Sequence, residues 1–330
     1  MADRLPETMA AVVQHRYGPV EELSVSETAV PLIGAGDVLV RVHAAGVDAG
    51  TWHLTTGRPL LMRVIGFGMR GPTSAVRGLA FAGRVVAVGS AVRRYSPGDD
   101  VFGSAPGAFA EYLRVAEGEL AALPTGLGYE QAAAVPISGV TALQAVRAAD
   151  VTAGRRVLVI GAAGGVGTFA VQLAVGLGAT VTGVCSGGKA ALVRELGAER
   201  VIDYTDTDVT ALPERWDAII DTAGNRPLAR LRKVLAPAGS LVIVGGEANG
   251  SPLGGMGRVL GAALADPFTR QRLRGLVSRE NAADLAELGR LVEAGVVHPV
   301  IDTVYPLAAV AEAVRHVGDG RARGKVVLAL

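Results

Sequence analysis

Between residues 9 and 123 short apolar runs alternate with turn-forming residues. The runs "MAAVV" (9–13), "DVLVRVHAAGV" (37–47), "FAGRVVAVG" (81–89) and "DDVFG" (99–103) have the length of strands. Between them, "PLIGAGD" (31–37) and "SPGD" (96–99) combine proline, which holds φ, with glycine, which frees it. This spacing predicts a mostly-β region, a partly open barrel or a sandwich.

From Pro124 the rhythm changes. A helical stretch over 129–150, interrupted near Pro136, leads to a strand at 156–160. A helix is predicted over 165–177, a strand over 180–185, a helix over 188–196, and strands over 200–203 and 216–222. A helix over 226–235, a strand over 240–245, a helix over 256–264 and a strand near 273–277 follow. Strands alternating with helices of this length predict a doubly wound parallel sheet, an α/β arrangement of the Rossmann type. A helix over 281–294, the segment "HPVIDTVYPL" (298–307), a helix over 308–317 and "KVVLAL" (325–330) close the chain. That last run reads as a strand returning to the first region. The expected domains are therefore 1–123 with 279–330, and an inserted nucleotide-binding domain over 124–278.

Composition narrows the classes of function. Half of the 330 residues are apolar, and the formal charge is +1 with Lys and Arg scattered. Nucleic-acid binding is not expected without a basic stripe to neutralise phosphates. The single cysteine, Cys185, permits no intrachain disulfide and fits a reducing, cytoplasmic setting. Residues 1–8 carry Asp3, Arg4 and Glu7 and lack the apolar run of a secretory signal. Residues 157–188 contain no charged side chain, a length that could span a bilayer. Repeated glycines divide that stretch into strand, turn, helix and strand, and buried parallel strands read as continuous apolar runs; no membrane partner is expected.

The strongest chemical signal is "RVLVIGAAGGVGTFAVQLA" (156–174). A strand ends at Ile160, and Gly161, Gly164 and Gly167 follow at three-residue intervals, with Gly165 and Val166 between them. Glycines here let the backbone approach a pyrophosphate, which then faces the amides at the start of a helix. The more usual second glycine would stand at Ala162. Set inside a full βαβ unit, the pattern predicts a dinucleotide site. NAD-selective folds place a carboxylate after the second strand to hold the ribose 2′-hydroxyl. Here that place reads Cys185, Ser186, Gly187, Gly188, Lys189. Ser186 and Lys189 suit a 2′-phosphate, so NADPH is the expected cofactor; the alternative is that Lys189 only decorates the next helix.

Several strings, in order, resemble the medium-chain dehydrogenase/reductase superfamily, and within it the zinc-independent quinone oxidoreductase (zeta-crystallin-like) branch. They include "AAGVDAGTWHLTTG" (44–57), "AGRVVAVG" (82–89), "GAFAEYLRV" (107–115), "AAAVPISGVTALQA" (132–145), "GAERVIDYT" (197–205) and "GRARGKVVL" (320–328). The resemblance implies a GroES-like catalytic domain beside the Rossmann domain, a homodimer, and reduction of quinones or enones by NADPH. It implies that Ser186, Lys189 and Tyr204 contact the 2′-phosphate and adenosine, with Arg321 or Arg323 as a further contact. It places Thr141 beside the nicotinamide. Asp221 and Gly245 end strands and border the crevice where open parallel sheets bind ligands.

Zinc is not expected. Where zinc-using relatives carry ligands, this chain has Asp48, Leu79 and Ile137, and a catalytic zinc needs three protein ligands. The resemblance also makes 47–53 the substrate-lining segment, with departures: Asp48 for Asn, Thr51 for Asp and His53 for Tyr. His53 is a candidate proton or hydrogen-bond donor, against a plain reading as a half-exposed histidine on a turn. Asp48 is a candidate substrate contact, although a carboxylate would oppose a developing oxyanion. The glycine-rich stretch 245–268 reads equally as a lid or a dimer contact. The expected function is transfer of a hydride from NADPH to a small quinone or α,β-unsaturated carbonyl. An aldehyde, ketone or pathway intermediate is the alternative substrate, and an NADPH-binding protein with a non-redox role is the alternative class.

Overall fold

The computed structural model describes residues 5–58, 60, 63, 68–244 and 256–330. It divides into two units. The first comprises 1–137, 280–293 and 299–330; the second comprises 138–279 and 294–298.

The first unit opens with β1 (Thr8–Val13) and β2 (Ser24–Ala29), an antiparallel pair. The exposed, polar β2 is a strand the apolar pattern did not predict. Next come β3 (Asp37–Val47), α1 (Ala49–Thr56), β4 (Ala80–Val88), β5 (Asp100–Ser104), β6 (Tyr112–Ala116), β7 (Leu120–Ala122) and α2 (Tyr129–Ala133). β3 is the hub of a seven-stranded sheet, pairing antiparallel with both β4 and β6. Its inward residues Val38, Val40 and Val42 join Phe81, Val101 and Leu120 in one core. The apolar run over 37–47 that predicted a strand supplies Val38, Val40 and Val42 to this core.

The second unit holds α3 (Pro136–Ala148) from its third residue onward, β8 (Arg156–Ile160), α4 (Gly165–Gly176), β9 (Thr180–Cys185), α5 (Ala190–Glu195) and β10 (Arg200–Asp203). β11 (Trp216–Asp221), α6 (Leu228–Lys233), β12 (Leu235–Ile243), α7 (Met256–Ala265) and β13 (Arg272–Gly275) complete it. Its six strands are parallel and ordered β10-β9-β8-β11-β12-β13. Outward growth from β8 in both directions creates a topological switch between β8 and β11, the place where such sheets bind ligands. Leu158, Ile160, Ile219, Leu241 and Ile243 form the centre of its core. These strands read as unbroken apolar runs because helices cover both faces.

The tail returns to the first unit through α8 (Ala282–Glu293), β14 (Ile301–Pro306), α9 (Val310–Gly318) and β15 (Lys325–Ala329). β15 pairs antiparallel with β3, Val326 opposite Val47. That register brings Lys325 to the end of β3, where α1 begins.

Candidate functional site

In the second unit the carboxyl ends of three strands lie side by side. Ile160 stands opposite both Val184 of β9 and Asp221 of β11. The chain then turns through Gly161 at φ 82°, a left-handed conformation that favours glycine. The N–H groups of Gly161 and Ala162 both donate to Val184 O at 3.0 Å, and Gly164 N–H donates to Gly161 O at 3.0 Å. A Cβ on Gly167 would stand 2.0 Å from Gly161 O, so only glycine lets α4 begin this close to the turn. A Cβ on Gly164 would meet only Gly161 O, at 3.4 Å. The bend is therefore filled by protein on one side and open beside Gly164. Gly164, Gly165 and Val166 are half-exposed there. The first amides of α4, including Gly165, Val166 and Gly167, have no acceptor within the helix. Open space, free amides and the helix dipole fit a pyrophosphate.

The adenosine-side candidates gather around Cys185. Ser186 precedes a short 3₁₀ turn over Gly187–Lys189, and Lys189 N–H donates to Ser186 O at 2.9 Å. Tyr204 is 51% exposed and donates its N–H to Cys185 O at 3.1 Å. Sequence reasoning took this loop to be free of carboxylates, and the structure corrects it. Asp203 ends β10 opposite Cys185. It accepts from Thr205 N–H at 2.9 Å and Thr205 Oγ1 at 2.7 Å. These bonds, with a further one from Gly187 N–H, hold its carboxyl below the usual range. The correction escaped the sequence because the neighbouring strand supplies the group. Burial is the main force pushing the Cys185 thiol up; Asp203 adds to it, while Lys189 and Arg194 oppose it. Arg194 is thus a second cation close to this loop that the sequence did not single out.

Asp221 is fully buried at the end of β11. Its Oδ1 accepts from Gly224 N–H at 3.0 Å, and its Oδ2 forms an ion pair with Arg258 Nη2 of α7 at 2.6 Å. Arg258 was missed, since nothing in its own helix signals a partner 37 residues away. Thr222, next along, donates from Oγ1 to Ile160 O at 2.8 Å and packs where a Cβ of Gly161 would go. A chain of contacts thus runs from Arg258 through Asp221 to the glycine turn. Thr141 of α3 is buried and donates from Oγ1 to Ser278 Oγ at 3.0 Å. Gly245, and 245–255 of the glycine-rich stretch, lie outside the described residues.

In the first unit Asp48 immediately precedes α1, and its N–H donates to Thr51 Oγ1 at 3.4 Å. Asp48 is 7% exposed and Lys325 only 2%. Lys325 Nζ is ion-paired with Asp48 Oδ1 and donates to Val47 O at 3.4 Å. The objection that this carboxylate opposes an oxyanion weakens accordingly, because a buried ammonium balances it. His53 lies within α1 and not on a turn. Asp48 at the helix start and Gly57, in a left-handed conformation after its end, bound a helix whose own residues show no helical apolar period. His53 Nδ1 donates to Arg58 O at 3.0 Å. In a neutral ring Nε2 is then an acceptor, and only the imidazolium donates from it. Arg321 pairs with exposed Asp319, and Arg323 N–H donates to Asp302 Oδ2 at 3.1 Å, both in the first unit.

Two family models match: the alcohol dehydrogenase GroES-like domain over residues 34–125 and the zinc-binding dehydrogenase over 196–328. Over 98% of the chain the sequence is 32% identical to a 2-methylene-furan-3-one reductase of Solanum lycopersicum, covering 80% of that protein. It is 31% identical to a quinone oxidoreductase of Sus scrofa, with 98% of each covered. The quinone oxidoreductase structure from Coxiella burnetii superposes with a TM-score of 0.85 at 29% identity, over 98% of this chain and 99% of that one. The chain belongs to the medium-chain dehydrogenase/reductase superfamily, in its quinone oxidoreductase branch.

As a member of that superfamily it is an oxidoreductase built from a GroES-like and a Rossmann part, using a pyridine nucleotide. Among the described residues no group of three His, Cys, Asp or Glu is arranged to hold a metal ion. Among them, too, no helix is long and apolar enough to cross a membrane.

Proposed function

We propose that this protein is a zinc-independent reductase that uses NADPH to reduce quinones or α,β-unsaturated carbonyl compounds. The observation that carries the cofactor reading is the open glycine bend with its free amides, flanked by Ser186, Lys189 and Tyr204 around Cys185. Lys189 and Arg194 supply positive charge for a 2′-phosphate. Asp203, held by Thr205 and Gly187, is the opposing charge, so the coenzyme preference rests on the balance between them. The substrate class follows the relatives: by their names, the tomato protein reduces 2-methylene-furan-3-one and an Arabidopsis thaliana relative, 32% identical, acts on alkenals and alkenones.

The amides at the start of α4 would hold the coenzyme at this bend, where it would supply the hydride for the substrate. The protein's part is to position and to stabilise charge. The amides of Gly165, Val166 and Gly167 receive the pyrophosphate. Lys325 keeps Asp48 balanced, so the substrate-lining segment does not present an unpaired anion to the growing oxyanion. His53 serves as donor only when protonated, since its Nδ1 proton is held by Arg58 O. The first unit is assigned the substrate and the second the coenzyme. A homodimer in a cytoplasmic setting completes the proposal, resting on the family resemblance and the single cysteine; light scattering checks the former.

The test follows the loss of reduced-nicotinamide absorbance with NADPH and NADH against a quinone, an enone and an aldehyde. Turnover of the quinone or enone, faster with NADPH, is expected. Tight NADPH binding without turnover of any of them would favour a non-redox role, and absence of binding to either coenzyme would end the dinucleotide reading. His53→Phe and Asp48→Asn with unaltered kcat/KM would remove both residues from the substrate site.

A further inference from the structure

In the second unit two stretches of chain without an acidic residue come together. Residues 226–237 carry Arg226, Arg230, Arg232 and Lys233, and residues 268–275 carry Arg270, Arg272 and Arg274. The first stretch holds α6 and the start of β12, the second leads into β13, and β12 and β13 pair as neighbours. A formal charge of +1 over the whole chain gives no hint of this local excess.

Four of these cations are already occupied. Arg226 and Arg230 share Asp208, at 4.0 and 3.6 Å. Arg272 pairs with Asp150, and Arg274 donates to Ala148 O at 3.2 Å. The others, Arg232, Lys233 and Arg270, line one groove of about 530 Å³ with Ala229, Pro237 and Phe268. Arg232 Nε donates to Gln271 Oε1 at 3.0 Å, and none of the three pairs with a carboxylate among the described residues. Lys233 and Arg270 are exposed. Cations gathered on one groove repel one another, and a visiting anion relieves that repulsion.

Phe268 adds apolar surface to the same groove. It is 89% exposed, although an aromatic ring gains much from burial. The turn that carries it is tied down: Asp266 Oδ1 accepts from Leu273 N–H at 2.6 Å, and Thr269 N–H donates to Asp266 O at 3.3 Å. The ring is therefore held outward on an anchored turn.

The polar groups beside it are committed inward. Gln271 Nε2 donates to Arg232 O at 3.0 Å, Leu235 O at 3.3 Å and Ala236 O at 3.4 Å, and Thr269 Oγ1 accepts from Gln271 N–H at 3.2 Å. What the groove offers outward is positive charge and apolar surface, with no side-chain amide left to read the edge of a nucleotide base. A flat bilayer would meet Phe268 and leave the concave part unfilled. An extended acidic peptide fits both features, its carboxylates on the cations and an apolar side chain against Phe268 and Pro237.

We propose that this groove docks an acidic, partly apolar segment of a partner protein. The glycine bend follows the carboxyl end of β8, whereas the groove residues stand at the amino ends of β12 and β13. The two lie at opposite ends of one parallel sheet, so docking leaves the bend open.

The test is fluorescence anisotropy of a labelled peptide of glutamates around a central Phe-Leu pair, with a lysine-for-glutamate version as control. The acidic peptide should bind, the lysine version should not, and binding should weaken as salt rises. A rim ion pair is worth up to about fivefold, so Lys233→Glu/Arg270→Glu should weaken binding about twentyfold or more. Phe268→Ser should weaken it about tenfold and leave the salt dependence in place. Should the double reversal fail to fold, Lys233→Gln and Phe268→Ser, both at exposed positions, decide. Equal affinity for the two peptides, no binding of the acidic one, or unchanged affinity in the variants overturns the proposal. Binding of ATP or of phosphatidylglycerol vesicles in place of the peptide, abolished by the same reversal, assigns the groove to a nucleotide or a membrane and overturns it as well. So does a change of oligomeric state in the reversed variant by light scattering, which would mean that a second copy covers the groove.

Discussion

Lys325 and Asp48 stand 277 residues apart in the chain and form an ion pair that is almost wholly out of solvent. One belongs to the first residue of the closing strand and the other to the residue before α1. Together they tie the end of β3, the start of α1 and β15 at one point. A buried pair of this kind gains little over apolar residues of the same shape, but breaking it strands a charge.

Lys325→Met should therefore destabilise the protein by ~3–5 kcal/mol, with Asp48 left buried and unpaired. The double variant Lys325→Met/Asp48→Asn should recover much of the loss. Urea unfolding of the three proteins checks this. A change below about 0.5 kcal/mol in Lys325→Met, the range of ordinary surface substitutions, would mean that the pair is not closed in solution.

Reversal of charge at Lys189 probes the coenzyme. Loss of a charge-assisted contact to a 2′-phosphate costs ~1.5–3 kcal/mol, so Lys189→Glu should raise the KM for NADPH about tenfold or more. The KM for NADH, which lacks that phosphate, should move little. Parallel rises for both coenzymes would take Lys189 away from the phosphate.

The pair of Arg258 with Asp221 makes a prediction about the glycine turn. Arg258→Met leaves a fully buried carboxylate unpaired, which should cost ~3–5 kcal/mol. Because Asp221 also holds Gly224 N–H, and Thr222 packs on Gly161, the same variant should weaken coenzyme binding. Arg258→Lys should restore part of both. Thermal unfolding and calorimetry read the two effects; a stability loss with unchanged coenzyme affinity would confine Arg258 to the fold.

Cys185 provides a chemical readout, since burial raises its pKa and the thiol stays protonated. The thiolate is the nucleophile, so alkylation should be slower than that of a free thiol near neutral pH, and slower still with coenzyme bound. The sign for stability is also determined. The unfolded thiol ionises first, near its ordinary ~8.5, so stability should fall as pH rises above that value toward the folded pKa. Mass-spectrometric alkylation rates across alkaline pH check this. A rate matching a model thiol would show that Cys185 is open to solvent.

Much of the second unit was legible because its signals are local. Strand, glycine bend and helix occupy 156–176 without interruption, and "TVTGVC" and "RVID" match β9 and β10 residue for residue. Less was legible where structure depends on neighbours. The polar β2 is a strand because β1 pairs with it, and α1 is a helix because its ends are determined by Asp48 and Gly57. Asp203 reaches the coenzyme loop from an adjacent strand, a relation that no motif within 185–189 contains.

From the sequence alone came the doubly wound order of elements, the glycine bend and the return of the last strand. These depend on hydrophobic period and on the backbone freedom of glycine, properties carried by contiguous residues. The tertiary structure decided how charge is balanced: Asp48 by Lys325, Asp221 by Arg258, and Lys233 and Arg270 by no carboxylate among the described residues. Charge acts through space across a weakly polarisable interior, so its partners are set by which strands and helices meet and not by their order in the chain.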